Sequence, residues 1–271
     1  MSDEDLGFMT AFEAARLIHA KEISPVELTD AVLRRAEIVQ NTCNAFITIS
    51  DEVARAEARR AEESVMAGDD LGPLHGVPFT VKDLVNTAGV RTTFGSHAFA
   101  DNVPKSDSIG IARLRDAGAV LIGKTTTPEF GHKPMTEAPL FGRTLNPWDL
   151  TRTSGGSSGG AGVAAATGIG PLHVGTDGGG STRIPAAACG VVGMKQTLGR
   201  VPHDMSSDSF GCMSFIGPIT RTVEDCGLML DVMAGPHLSD VHSLGRYNSN
   251  FAGAARGEGD LKGVKIGWRR Y

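Results

Sequence analysis

Two glycine-crowded loops, each carrying serine and each running into a segment of small residues, constrain this chain more than any other feature. The first is Arg152-Thr-Ser-Gly-Gly-Ser-Ser-Gly-Gly-Ala-Gly162; the second is Gly175-Thr-Asp-Gly-Gly-Gly-Ser-Thr-Arg-Ile-Pro185. Glycine lets a backbone take a left-handed φ and lets another atom approach closely. A helix start leaves N–H groups without partners and presents the positive end of the helix dipole. A serine on such a loop is placed to meet an anion or a developing oxyanion. One loop of this kind is as well read as a tight turn; two in close succession, both with serine, read as a site.

The segments around the loops alternate in a strand–helix rhythm. Thr10-Ala-Phe-Glu13 reads as a capping box opening a helix, and Ser24 followed by Pro25 opens a second with Val26, Leu28, Val32, Leu33, Ala36 and Val39 at helical spacing. Ala45–Ile49 reads as a short strand, and 53–67, rich in Ala, Arg and Glu, as an exposed helix. Val77–Val81 is an apolar strand with Lys82 at its end. A helix over 107–117, a buried strand over 119–122, a small-residue helix over 161–167 and a strand over 171–176 follow. Ile184–Cys189 forms a short helix, Gly190–Met194 a connection or strand, and Thr222–Met233 a helix. Residues 125–150, with four prolines and little periodicity, read as a long loop and a functional surface. The pattern predicts α/β architecture with a largely buried sheet.

Lysine usually stays at a surface, so Lys82 at the end of an apolar strand is unusual. It reads either as a surface group paired with Asp83 or as a buried amine, and burial without a counter-charge turns a lysine into a base. The net charge of -5 does not favour nucleic acid or an anionic membrane as a partner. Cys43, Cys189, Cys212 and Cys226 lack C-x-x-C spacing, and the histidines form no cluster, so neither a metal nor a cofactor is expected. With an acidic start that does not read as a signal peptide, reduced thiols and a cytoplasmic protein are expected.

These blocks together resemble the amidase signature family of serine hydrolases. The likeness is carried by Gly76-Val-Pro-Phe-Thr-Val-Lys-Asp83, Gly155-Gly-Ser-Ser-Gly-Gly160 and Gly175-Thr-Asp-Gly-Gly-Gly-Ser-Thr-Arg-Ile-Pro-Ala186. Cys189-Gly-Val-Val-Gly-Met-Lys195 and Gly217-Pro-Ile-Thr-Arg-Thr-Val-Glu-Asp225 add to it. It implies an α/β fold with a mixed β-sheet core flanked by helices on both faces. It also implies that 1–271 is the N-terminal portion of one domain. In that portion 1–70 is a helical scaffold, 71–235 the signature core, and 236–271 a linker (Gly253–Gly259) and the start of a strand near Leu261–Trp268. The family continues past that point.

The resemblance further implies a Ser–cis-Ser–Lys triad, with Ser181 as nucleophile, Ser157 as bridge after a cis peptide, and Lys82 as base. The amides of Gly178, Gly179, Gly180 and Ser181 are the implied oxyanion hole. Family members commonly carry a bulkier residue among those glycines, so Gly178 is a departure towards flexibility. Ser158 is grouped with the substrate and oxyanion residues, and it and Asp177 are read in support, orienting a catalytic neighbour by hydrogen bonding or capping a turn. Arg183 is open between pairing with a substrate carboxylate and a structural ion pair, and Cys189 is a packed side chain rather than a nucleophile. The implied activity is hydrolysis of a small-molecule amide through an acyl-serine, with homo-oligomerisation left open.

Three rival readings use the same residues. Gly155-Gly-Ser-Ser-Gly159 also fits the G-x-S-x-G nucleophile elbow, which needs a histidine such as His203, His237 or His242 and leaves Lys82 unexplained. A phosphate- or nucleotide-binding module fits two glycine loops before helices, but no G-x-x-x-x-G-K-[ST] is present. A glutaminase subunit of a tRNA-dependent amidotransferase keeps the fold and needs partner subunits.

Overall fold

The structure, a computed structural model, describes residues 1–204, 213–245, 250–257, 262–265 and 267. The elements run α1 (Asp3–Phe8), α2 (Ala11–His19), α3 (Pro25–Cys43), β1 (Phe46–Ile49), α4 (Asp51–Ala67), β2 (Pro78–Lys82), α5 (Ile109–Asp116) and β3 (Val120–Thr125). Four short strands follow: β4 (Glu137–Ala138), β5 (Gly142–Arg143), β6 (Leu145–Asn146) and β7 (Asp149–Thr153). Then come α6 (Gly159–Ala166), β8 (Leu172–Asp177), α7 (Arg183–Cys189), β9 (Val192–Gly193), β10 (Phe215–Thr220), α8 (Val223–Met233) and α9 (Phe251–Ala255).

The main sheet has the order β1-β3-β2-β8-β10-β9. β2 lies parallel to both β3 and β8, and the outer pairs β1–β3, β8–β10 and β10–β9 are antiparallel. Every residue of β2, β3 and β8 is buried. Successive side chains of a strand point to opposite faces, so the middle of the sheet is covered on both. α3 and α6 pack on each other and on β2 and β3; α5 packs on α8, which lies on β8, β9 and β10.

Local chemistry explains most of the helix starts. Ser24 Oγ accepts from the amides of Val26 and Glu27, with Pro25 in the first turn. At Thr10 only the first half of the expected capping box forms. Glu13 N–H donates to Thr10 Oγ1 at 3.1 Å, while the carboxylate at this helix start is Asp225 of α8, accepting from Ala11 N–H at 2.9 Å. The acidic N-terminal stretch is itself a helix, α1, opened by a Ser2–Asp5 capping box.

Several expectations are corrected. α4 is not simply exposed: Ala54, Ala58, Ala61 and Val65 bury one face. The 125–150 stretch is organised into hairpins, β4–β5 and β6–β7. β10, outside every strand read from the sequence, forms a full antiparallel partner of β8. Part of the expected 253–259 linker is α9, capped by Asn250 and held by Asp231, which accepts from the amides of Phe251 and Ala252. Of the strand expected near Leu261, Lys262 and Gly263 make a turn and Val264 and Lys265 are in no strand; the rest lies outside the described residues, as does Cys212.

Candidate active site

Because β2 and β8 are parallel neighbours, their carboxyl ends emerge side by side. In open α/β sheets ligand sites gather at that edge. Lys82 closes β2, Thr176 and Asp177 close β8, and the two glycine–serine loops sit directly above.

Lys82 is fully buried. Its Nζ donates to Ser157 Oγ at 2.6 Å and to Thr176 Oγ1 at 2.8 Å. Burial pushes the amine well below the ordinary lysine range, and the Asp177 carboxylate opposes this without cancelling it. The alternative pairing with Asp83 does not occur. The Asp83 carboxylate turns away, accepting from Thr93 N–H at 3.0 Å and from the Thr93 hydroxyl at 2.5 Å. Burial raises the Asp83 carboxyl, and its opposite charge is Lys124.

Ser157 is buried, follows a cis Gly156–Ser157 peptide, and lies at the foot of α6. α6 approaches its neighbours so closely that its glycines are steric necessities. A Cβ at Gly160 would collide with the carbonyl of Ala45 and the amide of Thr126. Ser158 is also buried, but its hydroxyl is fully engaged with the Thr176 backbone, donating to the carbonyl and accepting from the amide, both at 3.2 Å. Its own N–H donates to the Ser181 carbonyl at 3.2 Å. Ser158 therefore fastens the first loop to β8 and to the second loop.

The second loop is arranged by Asp177. One carboxylate oxygen accepts from Gly180 N–H at 2.7 Å, the other from Thr182 N–H at 3.2 Å, and the Arg183 fork holds both at 2.9 and 3.0 Å. Burial works to raise this carboxyl, but Arg183 and the two amides outweigh it and keep it below the usual carboxylate range. Arg183 thus makes the structural ion pair rather than awaiting a substrate. The Gly180 amide, expected in the oxyanion hole, is turned into the loop by the same contact. Gly180 has φ 117, a conformation that favours glycine. Gly178 and Gly179 are exposed, Ser181 is partly exposed, and Met213 O lies 2.8 Å from where a Cβ on Gly178 would stand. A close carbonyl, rather than a need for flexibility, accounts for glycine at 178.

Two buried neighbours of the site escaped sequence reading. Thr176 is the second acceptor for Lys82; its signal is its place one residue before Asp177 on the strand beside β2. Lys124, on β3, is a second fully buried lysine, whose Nζ donates to Val85 O and to Thr87 Oγ1 at 2.7 Å. Cys189 is buried, its thiol pushed up to about 12 by desolvation, which makes it unreactive. Among the described residues no group of three or more His, Cys, Asp or Glu side chains is placed to hold a metal. His237 faces Ser239 Oγ at 2.7 Å, and the side chain on Ser157 Oγ is an amine, not the imidazole of the elbow reading.

Comparison with known proteins places the chain in a family. The Amidase family model matches residues 27–270. The chain is 43% identical over 268 residues to an acylamidase of Rhodococcus erythropolis, covering 99% of this chain and 56% of that protein. It is also 43% identical to the A subunit of the glutamyl-tRNA(Gln) amidotransferase of Roseiflexus sp. (strain RS-1), covering 96% of this chain and 53% of that one. Among solved structures it superposes on the peptide amidase of Stenotrophomonas maltophilia with a TM-score of 0.85 at 32% identity, covering 90% of this chain and 52% of that one. The chain spans about half the length of the curated relatives it matches. It belongs to the amidase signature family.

Proposed function

We propose that this amidase signature protein hydrolyses a carboxylic amide through an acyl-serine intermediate, with Ser181 as nucleophile, Ser157 as bridging hydroxyl and Lys82 as base. The observation that carries the reading is the fully buried Lys82 amine 2.6 Å from Ser157 Oγ. A serine hydroxyl is a weak nucleophile until a base takes its proton. An amine whose burial favours the uncharged form is such a base at neutral pH. In the proposed cycle Lys82 takes the Ser157 proton while Ser157 takes that of Ser181, and Ser181 Oγ bonds to the amide carbon. The oxyanion is met by the amides of Gly178, Gly179 and Ser181, the Gly180 amide being held by Asp177. The relay then returns the proton to the leaving nitrogen, the C–N bond breaks, and water cleaves the ester to release carboxylate and restore Ser181. Thr176 and Asp177 are support residues in this scheme: one aims the amine, the other shapes the loop.

The test is covalent labelling with a fluorophosphonate followed by mapping of the modified residue. Label on Ser181, lost in Ser181→Ala and slowed in Lys82→Ala, is expected; label on Ser158 or a cysteine overturns the assignment. A second reading is favoured by the likeness to the amidotransferase subunits: a glutaminase that works with partner subunits. Glutamine hydrolysis appearing only on addition of such partners would select it. A cytoplasmic setting fits the free thiols of Cys43, Cys189 and Cys226, and no helix among the described residues is long and apolar enough to cross a membrane.

A further inference from the structure

The loop that carries Ser157 is held on both sides of that residue by one side chain from elsewhere in the chain. Thr136 is buried, and its hydroxyl donates to the Gly155 carbonyl at 2.8 Å and accepts from Gly159 N–H at 3.0 Å. Gly155 precedes Ser157 and Gly159 follows it, so a single oxygen spans the loop and sets the distance between its ends. Thr136 is pinned in turn, its carbonyl accepting from Thr144 N–H at 2.9 Å.

The backbone around Thr136 backs the same loop. A Cβ at Gly156 would stand 2.6 Å from the Met135 nitrogen, one at Gly159 would collide with Thr136 Oγ1, and one at Gly131 would stand 3.2 Å from Ser157 Oγ. Ser158 ties the loop to β8 and to the Ser181 carbonyl; Thr136 ties it to the segment before β4. Both Thr136 hydroxyl bonds go to backbone, so its influence on the reaction passes through the placing of Ser157. That placing matters because Ser157 Oγ stands 2.6 Å from Lys82 Nζ, and misplacing a catalytic group by about 1 Å can cost about 100-fold in rate.

We propose that Thr136 is a positioning residue for the bridging hydroxyl: it clamps Gly155 to Gly159 and so keeps Ser157 Oγ on the Lys82 amine. The inference rests on the acyl-serine reading, in which Ser157 passes a proton between Ser181 and Lys82. The clamp needs one atom that donates on one side and accepts on the other, which a hydroxyl supplies and a methyl group does not.

The experiment follows fluorophosphonate labelling of Ser181 across probe concentrations in the wild type, Thr136→Val, Thr136→Ser and Thr144→Val, with urea unfolding of each. Thr144 is the control. Its hydroxyl is also buried, donating to the Asn44 carbonyl at 2.7 Å and meeting Thr126 Oγ1 at 2.6 Å, and it bonds to neither end of the loop. In Thr136→Val the saturating rate of labelling is expected to fall about 10-fold or more while the half-saturating probe concentration holds. Thr136→Ser should recover most of that rate. Thr144→Val should lose stability, as buried groups left without partners do, yet label at the wild-type rate. Should Thr136→Val fail to fold, Thr136→Cys takes its place with the same expectation, a thiol being a weak donor and a weak acceptor. A wild-type rate in that variant, a loss no larger than in Thr144→Val, or a Ser variant as slow as Val overturns the clamp and leaves the hydrolase reading standing. Wild-type protein that does not label at Ser181 overturns the hydrolase reading, and the clamp with it.

Discussion

Replacing Lys124 by Met should change how stability depends on pH, and the size of the change follows from the structure. Lys124 is fully buried, and desolvation brings its amine from 10.5 down to about 7, with the Asp83 and Asp107 carboxylates opposing the drop. Between those two values the unfolded chain holds a proton that the folded chain has released, so wild-type stability rises with pH from about 7 to 10.5. A tenfold change in proton affinity is about 1.4 kcal/mol, so the full window is worth about 5 kcal/mol and the part between pH 7 and 9 about 3 kcal/mol. Met removes that titration. The lost hydrogen bonds to Val85 O and Thr87 Oγ1 lower the variant by an amount that does not depend on pH. Relative to wild type, Lys124→Met should therefore fare better at pH 6 than at pH 9 by about 3 kcal/mol. Asp83 acts in the same sense: burial already raises its carboxyl, and loss of the Lys124 charge raises it further, which weakens the variant as pH rises. Repeating the pair in an Asp83→Asn background separates the two contributions, because without that carboxylate the Lys124 window opens at lower pH. Urea unfolding followed by circular dichroism at pH 6, 7.5 and 9 measures the difference. Parallel curves for wild type and variant would refute the claim that burial neutralises this amine.

Further outcomes follow from the site. Lys82→Met should keep the fold and lower kcat on an amide by about 100-fold or more, the usual reach of a general base, in a steady-state assay of product release. Thr176→Val removes one of two acceptors of the Lys82 amine; the protonated form depends more on acceptors, so the acid limb of kcat/KM should move to lower pH, and an unmoved profile would contradict that role. Gly160→Ala forces a methyl group into the Ala45 carbonyl and the Thr126 amide and should cost about 2–3 kcal/mol in urea unfolding, as overpacked cores do.

The sequence displayed the parts of the site more clearly than their orientation. Lys82 stood out because a charged residue at the end of Val77–Val81 is chemically out of place, and the two loops stood out through glycine. What a loop side chain faces depends on tertiary contact, so the partner of the Ser158 hydroxyl, the Thr176 backbone, was not legible in the sequence. Lys124 was hidden in a strand read only as far as Ile122. β10 was missed because Pro218 lacks an N–H; it is tolerated opposite Val174, with only two-residue β9 on its other side. The buried face of α4 is mostly alanine, too weakly apolar to show against the surrounding charges.

The register of β2 against β8 has an evolutionary consequence. Phe79 faces Leu172, Thr80 faces His173 and Val81 faces Val174, so the ladder alone brings the end of one strand level with the end of the other. The hairpins β4–β5 and β6–β7 form sheets of their own and take no part in that ladder. They can change in length or composition without altering the register that sets Lys82 beside Thr176.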